Sequence, residues 1–145
     1  MGTEKRIDVS SLQEGTTLYE MQKEVIQENI NLYAEASKDF NPIHINEEFA
    51  KSTPLGGTIA HGMLILAYVS QMMTANFGQA WLTSGKLNTR FKAPARPGDT
   101  VTISGTVKKL ETIEEGTSVK CNVLCQNQTG ETVISGDASI ILSGC

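Results

Sequence analysis

The sequence is poor in the residues that build metal sites and disulfide frameworks. It holds two histidines, His44 and His61, and three cysteines, Cys121, Cys125 and Cys145. Three cysteines without framework spacing argue against a disulfide scaffold. If residues 117–125 form a strand, Cys121 and Cys125 share a face but stand about 13 Å apart along it, beyond disulfide reach. Two histidines leave few ligands for a Cys/His zinc site, so no metal is expected. A concentrated basic face is also lacking. Twelve basic residues are interspersed with sixteen acidic ones, leaving a net charge of −4, which sets binding to a phosphate backbone aside. The longest apolar run, residues 63–69, is far short of a membrane span. Residues 1–8 lack the apolar stretch of a secretory signal. The expectation is a cytoplasmic protein that binds neither nucleic acid nor membrane.

What is present fits one compact domain over residues 1–145. Apolar residues make up 39% and charged residues 19%, the balance of a soluble globular chain. No internal repeat, low-complexity tract or linker interrupts it. Thr16 to Val25 has room for a strand. Ile26, Ile30, Tyr33 and Ala34 recur at three- and four-residue steps and predict a helix over residues 25–38. The pair Asn41-Pro42 closes that run, because a residue before proline is pushed out of the α region. Residues 39–60 contain Pro42, Pro54 and Gly56-Gly57 and read as irregular, with one short helix around residues 47–51. From His61 to Phe77 the chain has almost no polar stripe, which predicts a helix buried on most sides, with Gly78 as its stop.

Beyond Gly78 the period changes to two. Leu87, Thr89 and Phe91 alternate with polar residues, as do Val101, Ile103 and Val107. Val119, Cys121, Val123 and Cys125 share one side, and Ile134, Ala138, Ile140 and Leu142 another. Turn sequences at residues 96–99, 114–116 and 128–131 imply short connections and an antiparallel meander with one apolar face. One strongly apolar helix is available to cover that face. The predicted class is α+β, a sheet wrapped around a long buried central helix. Its edge strands call for cover, so a homodimer or higher homo-oligomer is expected.

Two segments carry chemistry. In Ser37-Lys38-Asp39-Phe40-Asn41-Pro42-Ile43-His44-Ile45-Asn46, a carboxylate and an imidazole sit five residues apart across a proline-stiffened turn. Such a pair can hold one water and exchange its protons. Spacing alone equally allows Asp39 to be a chain-turning residue and His44 a packed one. The second segment, Gly56 to Met63, opens the apolar helix. Gly62 at a helix N-terminus could offer an unpaired N–H to a thioester carbonyl, or could simply make a tight entry. His61 reads as a capping or packing residue there. Ser70, inside the apolar helix, has the ordinary option of bonding its own backbone.

Taken together, these segments closely resemble the MaoC-like (R)-specific enoyl-CoA hydratases and dehydratases. The signature of that family runs Ser-Gly-Asp-x-Asn-Pro-x-His-x-Asp/Asn, then Phe-Ala (here Phe49-Ala50), then a later His-Gly-Met (here His61-Gly62-Met63). The resemblance implies a hot-dog fold, usually paired. It also implies reversible hydration of trans-2-enoyl-CoA to (3R)-3-hydroxyacyl-CoA, without metal or organic cofactor. It assigns Asp39 and His44 as the water-holding catalytic dyad, Gly62 as the thioester-polarising N–H, and Ser70 and Asn41 as substrate-side residues, Asn41 also shaping the loop. Lys86, Arg90, Lys92 and Arg96 are candidate partners for CoA phosphates. One position departs from the motif: the family glycine is Lys38 here, and a positive φ at that point would strain a lysine. The nearest alternative is a dehydratase for acyl-carrier-protein substrates. More distant ones are a hot-dog thioesterase and a non-catalytic acyl-thioester binding subunit.

Overall fold

The period-two stretches become one five-stranded antiparallel sheet in the computed structural model, which describes residues 6–143. Residues 1–5, part of the N-terminal reading above, and Cys145 lie outside the described residues. A 3-10 turn at Val9–Ser11 precedes β1 (Met21–Glu24), α1 (Gln27–Ser37), α2 (Pro42–Ile45), α3 (Glu47–Lys51), α4 (Gly62–Phe77) and α5 (Gln79–Ser84). Four strands follow: β2 (Lys86–Phe91), β3 (Thr100–Ile113), β4 (Gly116–Gln126) and β5 (Thr132–Ser143). No helix among the described residues is long and apolar enough to cross a membrane.

The sheet order is β1-β3-β4-β5-β2, so the meander is confined to β3, β4 and β5. The short turn expected at residues 96–99 does not join neighbouring strands. β2 pairs with β5, and the chain then crosses to the other side of the sheet to enter β3. Eight extended residues reach roughly 26 Å, ample for the three strand spacings of about 14 Å to be crossed. Close approach fixes the β2–β5 contact: a Cβ at Gly136 would collide with the Asn88 carbonyl oxygen.

Alternate residues of the central strands turn inward onto α4. Val101, Ile103, Val107, Val119, Cys121, Val123, Cys125, Ile134, Ala138 and Ile140 form one core with Ile65, Val69, Met72, Met73 and Phe77. The helix is less enclosed than its composition predicts. Its buried stripe is Ile65, Val69, Met72, Met73, Asn76 and Phe77, while Met63 is 58% exposed at the N-terminal end. The sheet of one chain covers only one side of the helix, which accounts for the difference.

Two short helices escaped the sequence reading. Asn41-Pro42 starts α2 instead of merely ending α1, since Asn41 caps it and proline suits the first helical position. Gly78 stops α4 as expected, with φ 58°, but α5 follows at once.

Both core cysteines are free and buried. Burial pushes the Cys121 thiol up to about 11 and the Cys125 thiol up to about 12. Unfolded thiols ionise near 9, so above that pH the unfolded chain loses protons that the folded chain keeps. Stability therefore falls as pH rises from about 9 toward 11–12. Urea midpoints measured across this window should drop more steeply in the wild type than in a Cys121→Ala/Cys125→Ala variant.

Candidate active site

The segment after α1 is built from local bonds of short polar side chains. Lys38 ends the helix in the left-handed region, φ 64° and ψ 22°, and the Asp39 N–H donates to Ser37 Oγ at 3.2 Å. Asp39 Oδ1 accepts the Asn41 N–H at 3.2 Å, and Asn41 Oδ1 accepts the Ile43 N–H at 3.2 Å. These successive turns lead into α2, which carries His44. Lysine has a Cβ that the left-handed region disfavours, so Lys38→Gly should relieve strain. After allowing for glycine's greater unfolded freedom, the gain is about 1 kcal/mol, read as a midpoint rise of roughly 3 °C in thermal unfolding.

His44 is buried, and its Nδ1 lies 2.8 Å from the Ile59 carbonyl oxygen. A carbonyl can only accept, so Nδ1 carries the hydrogen and Nε2 of the neutral ring keeps a lone pair. The backbone around His44 is fixed as well. Gln27 Nε2 donates to the His44 carbonyl at 2.7 Å, and Thr58 Oγ1 lies 2.7 Å from Gln27 Oε1 and 3.1 Å from Glu47 Oε2. Behind His44 stands His61, its ring stacked at 3.9 Å with 26° between planes. His61 Nε2 meets the Asp39 carbonyl oxygen at 3.0 Å, and Tyr33 packs on the same ring at 4.8 Å.

His61 is also the N-cap position of α4 but makes no side-chain cap bond. The Leu64 and Ile65 N–H groups take the His61 carbonyl, and the Gly62 N–H has no acceptor among the described residues. A helix start with a free N–H carries positive partial charge. A cavity of about 350 Å³ opens beside it, lined by His44, Gly62, Ile65, Phe91, Lys92 and Val133 among others. The Phe91 ring lies so close to Gly62 that a Cβ there would stand 3.0 Å from it.

The structure thus brings together three of the five residues singled out from sequence. Asp39 and His44 adjoin each other, and Gly62 lines the same cavity as His44. Asp39 itself is exposed and lies outside the cavity's lining. Asn41 is engaged in capping α2. Ser70 lies two helical turns beyond Gly62, its Oγ accepting the Trp81 indole N–H at 2.9 Å, and does not line the cavity. Of the candidate cations only Lys92 lines it. Arg96 bonds the Leu55 carbonyl at 2.6 Å, and Lys86 lines a separate hollow on β2, β4 and β5. Arg90 is exposed on β2.

Sequence reasoning passed over His61 as a contributor, and only its place in His-Gly-Met could have drawn attention to it. Ligand-type atoms of Asp39, His44 and His61 lie within 4.8 Å of one another. A closed metal site needs lone pairs converging at about 2.0–2.2 Å. Here each ring spends one nitrogen on a carbonyl, and the nitrogen left on His61 is buried. The trio fits proton exchange better than coordination.

An antiparallel sheet packed on one long helix, with a polar loop at that helix's start, makes this a hot-dog fold. The chain belongs to the MaoC-like family, whose MaoC like domain matches residues 6–128. It is 34% identical over 120 residues to an (R)-specific enoyl-CoA hydratase of Rhodospirillum rubrum, covering 83% of this chain and 81% of that one. It is 33% identical over 118 residues to a mitochondrial 3-hydroxyacyl-[acyl-carrier-protein] dehydratase of Arabidopsis thaliana, covering 79% and 69% respectively. Among solved structures, an unliganded R-hydratase of Pseudomonas aeruginosa superposes with a TM-score of 0.81 at 25% identity, over 97% of this chain and 88% of that one.

Proposed function

We propose that this protein is a hydratase and dehydratase of acyl thioesters, adding water reversibly to a trans-2-enoyl-CoA to give the (3R)-3-hydroxyacyl-CoA. The observation that carries this reading is the tautomer of His44. Its Nδ1–H is committed to Ile59, which leaves the Nε2 lone pair to act, and a His44 ring nitrogen lies within 4.8 Å of an Asp39 carboxylate oxygen. The Gly62 N–H draws electron density toward the thioester oxygen and makes the β-carbon electrophilic. Water held between Asp39 and His44 attacks that carbon, forming the C–O bond, while its proton passes to His44 Nε2. The pair then returns a proton to the α-carbon on the same face, and the carbonyl re-forms. Lys92 stands at the cavity, where a phosphate of the thioester carrier would meet a cation.

A carrier-protein thioester is the second reading, favoured by the Arabidopsis relative. A homodimer is part of the same proposal. β1 and β2 are edge strands, and Met63 and Phe91, 58% and 54% exposed, stand near the cavity. A second copy along one edge would cover such apolar surface.

The test is loss of enoyl-thioester ultraviolet absorbance when the protein meets crotonyl-CoA and a longer enoyl-CoA. Product chirality is read by coupling to a dehydrogenase specific for the (R) isomer. Rapid loss giving the (3R) alcohol supports the reading. Turnover only with carrier-protein thioesters favours the second reading, and thiol release or mere binding overturns both.

A further inference from the structure

His61 carries one atom that packing does not explain. Its ring is 2% exposed, and its Nδ1 is a buried side-chain atom with no hydrogen-bond partner among the described residues. An unpartnered buried polar atom is costly, and phenylalanine would fill the same space without one. What phenylalanine cannot do is donate. The Asp39 carbonyl only accepts, so His61 Nε2 must carry the hydrogen of the 3.0 Å bond. That tautomer leaves the buried Nδ1 as the lone-pair nitrogen.

We propose that His61 is the positioning residue of the Asp39/His44 pair, an inference that rests on the hydratase reading of that pair. One neutral ring makes both attachments. Its Nε2–H ties the backbone of Asp39, and its face fixes the plane of His44 at 3.9 Å. The Asp39 side chain has little else to hold it: it is exposed and bonded by the Asn41 N–H at 3.2 Å. The residue after His61 is Gly62, which lines the cavity. His61 therefore sets the distance between the water-holding pair and the carbonyl-holding N–H through a single peptide link. His44 and His61 are in opposite tautomers, Nδ1–H in the first and Nε2–H in the second.

Three variants and one spectrum test this. His61→Phe keeps the ring contact but loses the donor, His61→Gln keeps a donor near Nε2, and His61→Ala loses both. Misplacement of about 1 Å can cost 10²-fold. Accordingly kcat should fall about 100-fold in His61→Phe and His61→Ala, with KM held within about threefold, and glutamine should restore it to within about tenfold. With only two histidines in the chain, nitrogen-15 NMR of the rings, assigned with His61→Phe, reads both tautomers directly. An Nε2–H His61 beside an Nδ1–H His44 supports the proposal. An Nδ1–H His61, wild-type kcat in His61→Phe, or no rescue by glutamine overturns it. If the wild type hydrates no enoyl thioester, the hydratase reading falls on its own, and the spectrum still decides whether the positioning bond exists.

Discussion

Asp39→Asn is expected to lower kcat for enoyl-thioester hydration by about 10³-fold while leaving the fold and KM nearly unchanged. Asparagine keeps an oxygen at the Oδ1 position, so it can still accept the Asn41 N–H that shapes the loop. What it loses is the negative charge that orients water and balances a proton arriving on His44. His44→Ala removes the acceptor itself and should cost a similar factor. Both groups act on one water, so their effects should not multiply. The double variant should be about as slow as the slower single one. Steady-state rates with circular dichroism beside them check this. An active Asp39→Asn with ordinary rates would remove the dyad from the mechanism, and multiplicative losses would mean that the two residues act on separate steps.

The second large effect concerns a single hydrogen. Gly62→Pro should reduce kcat by about 10² to 10³-fold, the usual consequence of losing one oxyanion donor. The backbone is prepared for this substitution. Proline suits the first residue of a helix, and His61 already has φ −61° and ψ 134°, the extended conformation that a residue before proline adopts. The added carbons press on the Phe91 side chain, so crowding there has to be separated from loss of the donor. Gly62→Ala is the control, since it adds the same Cβ but keeps the N–H. A large gap between the two variants isolates the donor. Equal losses would point to crowding of the cavity and strip Gly62 of its electrostatic role.

Much of this arrangement is legible in the chain. The apolar run after His61 marks α4, and alternation marks β3, β4 and β5, because both patterns are fixed by burial on one face. The Asp39–His44 loop is legible only as a motif. Its five-residue spacing has no meaning until Lys38 turns left-handed and Asn41 starts a one-turn helix. The place of β2 is not legible. Its neighbour is decided by the close backbone approach at Gly136, a long-range contact that leaves only a glycine as its trace. α5 is hidden because Gly78 reads as a terminus and only Gln79–Ser84 follows in helix. The part played by His61 lies in contacts with Tyr33, Asp39 and His44, all remote from it in sequence.

The crossover from β2 to β3 has a bearing on how such an enzyme can diversify. Lys92, Ala93, Pro94 and Ala95 form part of the cavity wall, and they belong to a connection outside the strands. That connection is anchored at separate points, by the Lys92 N–H on the Val133 carbonyl and the Ala95 carbonyl on the Ala60 N–H, both at 2.8 Å. The proposed proton-handling groups sit on a different stretch of chain altogether. Insertions or bulkier residues between the anchors would reshape this wall of the cavity without touching the segment that carries Asp39 and His44. On the proposed reading, fit to the substrate and proton chemistry are separable traits.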